Sequence, residues 1–183
     1  NLVVLLTTMM ISCKIPHKPY SVEEALRSGI IRGESPGACI AVYENDRESI
    51  FSEGWANIDQ HRPIDGNTQF EIGSITKSFI ALLVIMAEDE KLLSLDDPVS
   101  DFFPDSFNIP EGNLKKIKIK DLLNHTSGLP LFPPNIDHDN EIQSLLTYSE
   151  ADLADFYQNF ALAKEPGTIY RYSSLGYGIL GYI

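Results

Sequence analysis

The feature that most constrains this sequence is a long apolar segment that begins at Ser74 and ends near Lys91. Its apolar side chains leave almost no polar face: Phe79, Ile80, Leu82, Leu83, Val84, Ile85 and Met86. A helix that is apolar nearly all round is typical of the centre of a larger body. We therefore predict a central helix over residues 74–91 that is buried by the elements around it.

Two strand-like segments precede this helix. Residues 38–43 are apolar throughout, residues 49–55 mix polar and apolar side chains, and residues 44–47 have turn chemistry. The pattern predicts an antiparallel hairpin over residues 38–55. A two-stranded hairpin is not stable alone, and the chain stops at Ile183 within an apolar segment. We therefore expect partner strands from a missing C-terminal part of the protein.

The remaining segments are predicted to be mainly helical. Ser21 and Glu24 have the spacing of a capping box at the start of a short helix. Residues 92–183 form a predicted helical region, with a short helix over residues 121–124. Residues 148–163 predict an amphipathic helix, because their apolar side chains recur at helical spacing.

Length and charge exclude several classes of partner. The 183 residues, of which 43% are hydrophobic, are enough for one domain with a core. The net charge of -12 disfavours binding to nucleic acid or to anionic lipid. The histidines lack metal-ligand spacing, and no phosphate-binding loop occurs. We expect no cofactor and a monomeric protein.

The first residues are interpreted as a leader rather than as part of the fold. Residues 2–11 are apolar, too short to cross a bilayer, and typical of a signal peptide. We assign residues 1–13 to a truncated signal peptide, 14–20 to a tether and 21–183 to the domain. Residues 10–13 resemble a bacterial lipoprotein processing site, which predicts lipid anchoring at Cys13. The alternative is an ordinary secretory signal. Both predict export to the periplasm or cell envelope.

The central chemical motif is Ser74-Ile75-Thr76-Lys77. Residues three apart share a helix face, so the Lys77 amine can reach the Ser74 hydroxyl. A serine nucleophile needs a base, and a buried lysine with a lowered pKa can act as one. Ser74 at the helix N-terminus would also gain from the positive end of the dipole. The alternative is a helix cap followed by a surface lysine.

A second motif, Tyr172-Ser173-Ser174, follows the turn at Pro166 and Gly167. A tyrosine hydroxyl near a lysine can hold or relay a proton. The alternative is a core tyrosine beside serines that belong to a turn.

Together these motifs resemble the serine β-lactamase and penicillin-binding family, in particular its class C-like branch. That family has an S-x-x-K motif, a second Y-x-N or S-x-N motif and a third K-T-G-like motif. Ser74 to Lys77 match the first motif, and Tyr172 to Ser174 occupy the second. The flanking segments 70–73, 91–99 and 121–130 are also similar to those of the family. Residues 129–135 resemble the loop of class C-like D-alanyl-D-alanine carboxypeptidases and endopeptidases.

The resemblance implies an α+β fold of the β-lactamase/transpeptidase type. An antiparallel sheet would be flanked by helices and joined to a helical subdomain, with the C-terminal strands missing from this chain. It implies acyl transfer in which Ser74 is the nucleophile, Lys77 and Tyr172 share the proton transfer, and Ser174 contacts substrate. The Ser74 N–H would provide one oxyanion-hole donor, and the second donor would lie outside this chain. His125 falls in a loop motif that shapes the fold, so we interpret it as structural.

The resemblance also implies the substrate class. Peptidoglycan peptides that end in D-Ala-D-Ala rank first, β-lactams second and small esters third. The alternative from another class is a non-catalytic penicillin-binding or wall-sensing module.

Two departures from the family pattern affect these expectations. Ser174 stands where the family most often has asparagine, so one hydrogen bond to Lys77 or to substrate is lost or water-mediated. The third motif does not occur in the 183 residues. Because loss of one oxyanion donor slows catalysis by about a hundredfold to a thousandfold, we expect this chain alone to be inactive and poorly folded.

Overall fold

The computed structural model describes residues 21–33 and 35–183. The predictions for the signal peptide, the tether and Cys13 lie outside the described residues. The described residues divide into two compact units, the first ending at Glu71 and the second spanning Ile72–Ile183.

The first unit begins with helix α1, Val22–Ile31. The Ser21 hydroxyl accepts from the Glu24 N–H at 3.2 Å, and the Glu24 carboxylate accepts from the Ser21 N–H at 3.1 Å. This reciprocal pair is the capping box that the sequence predicts.

An antiparallel sheet completes the first unit. Strands β1, Gly37–Glu44, and β2, Arg47–Asn57, pair where the sequence predicts a hairpin. The turn residues Asn45 and Asp46 both have positive φ, as tight hairpin turns require. Strand β3, Arg62–Pro63, pairs with the end of β2. The sequence pattern does not predict β3, because a two-residue edge strand has no alternating pattern and tolerates proline.

The second unit begins with a 3-10 turn, Gly73–Ile75, that leads into helix α2, Thr76–Asp89. The predicted burial of this helix on all sides is wrong for this chain. Val84 is buried and Ile80 and Ala81 pack against the core, whereas five large apolar residues are exposed: Phe79, Leu82, Leu83, Ile85 and Met86. The described residues supply packing partners for one face of α2, which leaves the other face open.

Four further helices follow in the second unit. They are α3, Ile119–Leu123, α4, Glu141–Thr147, α5, Glu150–Asn159, and α6, Ser174–Tyr182. Three 3-10 turns lie between α2 and α3: Val99–Phe102, Asp105–Phe107 and Asn113–Lys116. A fourth, His138–Asn140, lies between α3 and α4. Helix α5 is shorter than the predicted 148–163 helix, because the Ser149 side chain caps its start and the backbone becomes extended at Phe160.

The hydrophobic core of the second unit lies among α3, α5, α6 and the inner face of α2. Its fully buried side chains include Val99, Ile117, Ile119, Leu122, Leu129, Phe156, Tyr157 and Ile179. Helices together with a three-stranded antiparallel sheet give the α+β class that the sequence predicts. Within residues 21–33 and 35–183, no helix has the length and apolar character needed to cross a membrane.

Candidate active site

The turn before α2 presents Ser74 at the surface. Gly73 has a φ of 53°, in the left-handed region that glycine adopts without steric cost. Ser74 follows in the 3-10 turn and is exposed, two residues before α2 begins. Residues 68–72, which precede this turn, have no regular secondary structure.

Lys77 and Tyr172 converge on the Ser74 hydroxyl. Lys77 Nζ donates to Ser74 Oγ at 3.2 Å across one helical turn. Tyr172 Oη donates to the same oxygen at 2.7 Å. The second contact joins residues 98 positions apart in the sequence. The structure therefore brings together the three side chains that the sequence analysis selected as catalytic.

Two aromatic rings flank the Lys77 ammonium. Its Nζ lies 5.0 Å from the ring centroid of Tyr172 and 5.8 Å from that of Tyr177. Both distances allow cation–π attraction, which holds the amine close to Ser74. Tyr177 is fixed in turn, because its hydroxyl donates to the Leu123 carbonyl at 3.0 Å. The sequence alone indicates no role for Tyr177, since its spacing from Tyr172 fits no local pattern.

The surroundings of Tyr172 change its acidity. Partial burial opposes ionisation, but interaction with Lys77, the hydrogen bond with Ser74 and the positive charge of Lys77 outweigh it. The net effect lowers the pKa of Tyr172 below its ordinary value of 10.0. A lowered pKa favours the phenolate, and a phenolate in contact with a serine hydroxyl is suited to receive the serine proton.

A loop after α3 holds the segment that carries Tyr172. The Asp121 carbonyl accepts from the Thr126 N–H at 2.8 Å, which closes the loop. The Thr126 carbonyl then accepts from the Gly167 N–H at 2.8 Å, and the His125 carbonyl accepts from the Arg171 N–H at 2.7 Å. The resemblance-based expectation that this loop shapes the fold agrees with these contacts.

Ser173 and Ser174 have different positions at the start of α6. Ser173 is buried, and its hydroxyl donates to the Pro130 carbonyl at 2.6 Å and accepts from the Gly176 N–H at 2.9 Å. Ser174 is half-buried, and its N–H donates to the Leu131 carbonyl at 2.9 Å. In the described part of the chain, no hydrogen bond joins the Ser174 hydroxyl to Lys77. Ser174 instead borders a cavity of about 430 Å³ with Phe132 and Tyr148.

The arrangement has the parts of an acyl-transfer site. It presents an exposed hydroxyl, an amine and a phenol in contact with that hydroxyl, and a turn whose early N–H groups are not used by the helix. Among the described residues, no cluster of three or more histidine, cysteine, aspartate or glutamate side chains could hold a metal ion.

Comparison with known proteins agrees with this geometry. The family model for Beta-lactamase matches residues 22–183. A β-lactamase from Providencia stuartii is 27% identical over 88% of this chain and 39% of its own length. The crystal structure of the class C β-lactamase from Rhodobacter sphaeroides is 30% identical and has a TM-score of 0.69, over 87% of this chain and 41% of that one.

A third relative combines two activities in its name. The structure of the β-lactamase/D-alanine carboxypeptidase from Pseudomonas syringae has a TM-score of 0.68 at 25% identity, over 85% of this chain and 40% of that one. This chain therefore spans about two fifths of the length of the relatives that it matches. The fold is of the β-lactamase/transpeptidase type and agrees with the match to the family model. The chain belongs to the Beta-lactamase family.

Proposed function

We propose that the whole protein is a serine hydrolase that forms an acyl-enzyme on Ser74. One observation carries the proposal: Ser74 Oγ lies 3.2 Å from Lys77 Nζ and 2.7 Å from Tyr172 Oη. A serine hydroxyl that contacts both an amine and a phenol of lowered pKa has the partners that nucleophilic attack requires.

In the proposed reaction, Ser74 Oγ attacks the substrate carbonyl carbon and forms a new C–O bond. The hydroxyl proton passes to the Lys77–Tyr172 pair, and the same pair returns a proton to the leaving nitrogen when the C–N bond breaks. Water then attacks the ester carbonyl, which releases the acid and restores the Ser74 hydroxyl. The substrate oxyanion would accept from the Ser74 N–H and from a second donor outside these 183 residues.

For the substrate, we propose peptides that end in D-Ala-D-Ala, with β-lactams as the second candidate. The carboxypeptidase part of the name of the Pseudomonas syringae relative supports the first choice. The relatives named β-lactamase support the second. Both substrates present an acylated nitrogen to the serine, so the same Ser74 chemistry serves both.

The test is the intact mass of the full-length protein after incubation with a penicillin. We expect the protein to gain the mass of one penicillin and the Ser74→Ala variant to gain none. A Ser78→Ala variant is the matched control, because Ser78 is an exposed serine in the first turn of α2, close to Ser74 in the sequence.

The decay of the adduct distinguishes the two substrate proposals. Rapid loss of the penicillin mass supports β-lactamase activity, whereas a long-lived adduct supports a wall peptidase that deacylates slowly. A full-length protein that gains no mass and also leaves the penicillin unhydrolysed would contradict the acyl-enzyme proposal and favour a non-catalytic module. Labelling of the Ser74→Ala variant would show that the nucleophile is another residue.

A further inference from the structure

We propose that His125 is a positioning residue that sets the place of the Tyr172 phenol by holding the backbone on both sides of it. The inference rests on the proposed function, because it concerns the delivery of Tyr172 to Ser74. His125 touches neither the Ser74 hydroxyl nor the reacting atoms, so it acts through Tyr172.

His125 accepts two hydrogen bonds from the residues on either side of Tyr172, and we call this pair of bonds the bracket. The His125 carbonyl accepts from the Arg171 N–H at 2.7 Å. The imidazole Nδ1 accepts from the Ser173 N–H at 3.1 Å. The residues before and after Tyr172 are therefore fixed to one residue of the loop, and the phenol between them has little freedom to move along the chain direction.

The imidazole ring also packs against the phenol itself. Its centroid lies 4.4 Å from the Tyr172 ring centroid and 5.1 Å from that of Tyr177. His125 thus contacts both of the rings that flank Lys77. A ring in this position limits rotation of the Tyr172 side chain away from Ser74.

The backbone of His125 is adapted to this double contact. Its φ of 58° lies in the left-handed region, where histidine and asparagine occur more often than most residues. In this conformation, the carbonyl oxygen and Nδ1 of His125 face the N–H groups of Arg171 and Ser173. Local backbone strain of this kind persists where surrounding contacts determine it.

The contact requires a neutral imidazole, because only an unprotonated Nδ1 accepts a hydrogen bond. The titratable groups that face the ring are Lys77 from α2, Tyr177 from α6, and Tyr170 and Tyr172 from the bracketed segment. Burial, and then the positive charge of Lys77, lower the pKa of His125. The environment of His125 therefore favours the neutral imidazole, which is the form that accepts the hydrogen bond from the Ser173 N–H.

Two variants test the Nδ1 acceptor and the aromatic ring of His125 independently. His125→Asn places Oδ1 at the same bond separation from the backbone as Nδ1 and tolerates positive φ. His125→Phe keeps a ring but has no acceptor. In the full-length protein, we expect His125→Phe to slow acylation by a saturating fluorescent penicillin by about tenfold to a hundredfold. We expect His125→Asn to stay within about threefold of the unaltered protein, and penicillin affinity to change little in either.

A second background shows whether the effect passes through Tyr172. When Tyr172→Phe is already present, His125→Phe should slow acylation no further, since residues that act as a unit are not additive. An equal slowing in both backgrounds, or no slowing in the unaltered background, would overturn the inference. Failure of the unaltered protein both to form an adduct and to hydrolyse the penicillin would instead overturn the proposed function, and this inference with it.

Melting temperatures of all variants accompany the rates. Should His125→Phe melt below the assay temperature, the comparison of His125→Asn with His125→Gln decides the matter. Glutamine carries the same amide one carbon further out, so it should lose the bracket and slow acylation. Equal rates for the asparagine and glutamine variants would contradict a positioning role. His61→Asn is the matched control, because His61 also has positive φ and a ring contact but lies in the first unit.

Discussion

At the scale of single residues, Lys77 and Tyr172 share one hydroxyl but differ in setting. Lys77 is half-buried beneath two aromatic rings, whereas Tyr172 is exposed over 37% of its surface. Tyr172 also makes the shorter contact with Ser74 Oγ, 2.7 Å against 3.2 Å. The phenol is thus the better placed of the two to exchange a proton with the serine, while the Lys77 charge stabilises the phenolate.

This asymmetry predicts the pH dependence of acylation. Because the pKa of Tyr172 is lowered, the phenolate fraction increases as pH rises through a value below that of free tyrosine. The acylation rate of the full-length protein should therefore rise with pH in that interval. Tyr172→Phe should remove this rise and slow acylation by about a hundredfold or more. Rates measured with a fluorescent penicillin between about pH 6 and pH 10 test both expectations.

Tyr170→Phe is the control for that experiment, since it removes one hydroxyl from the same segment at an exposed position. It should retain both the rate and the pH profile. An equally steep rise with pH in the Tyr172→Phe variant would assign the titration to another group and contradict the role of the phenol.

At the scale of elements, the turn before α2 depends on a single backbone conformation. A Cβ added at Gly73 would meet no atom within 4 Å, so any cost of Gly73→Ala comes from its φ of 53°. We expect Gly73→Ala to lower the free energy of unfolding of the full-length protein by about 1 kcal/mol and to slow acylation by displacing Ser74. Urea denaturation measures the first effect.

Gly178 provides the matched control within helix α6. A Cβ at this position also meets no atom within 4 Å, but its backbone is helical. Gly178→Ala should therefore raise the free energy of unfolding by roughly 0.5 to 1 kcal/mol. A Gly73→Ala variant that is as stable as the unaltered protein would show that the turn tolerates another conformation.

The contacts within and between elements show which parts of the site can be predicted from the sequence. The contact between Ser74 and Lys77 was predictable, because it depends only on the spacing of one helical turn. Tyr172 was selected through family resemblance, and the bracket from His125 was not predicted. One of its two hydrogen bonds joins residues 48 positions apart, and except for the imidazole Nδ1 both bonds use backbone atoms, which leave no trace in residue type. The exposure of α2 was also missed, since apolar pattern predicts the helix but not how many neighbours cover it.

At the scale of the whole molecule, the open face of α2 is the dominant feature of the second unit. Phe79, Leu82, Leu83 and Met86 recur at helical spacing on this face, and each is about half exposed or more. A contiguous exposed apolar surface of this kind favours association. We therefore predict that residues 21–183 produced alone self-associate and bind an apolar fluorescent dye. Light scattering and dye fluorescence measure the two effects.

A pair of lysine substitutions locates the cause of that association. Leu83→Lys places a charge in the middle of the open face and should reduce both scattering and dye binding. Ile31→Lys, at an exposed apolar residue of α1, should change them little.

We also expect the isolated chain to be acylated by penicillin at least about a hundredfold more slowly than the full-length protein, because one oxyanion donor would be missing. A monodisperse, dye-free chain that is acylated at the full-length rate would contradict both expectations and would show that these residues form a complete catalytic unit.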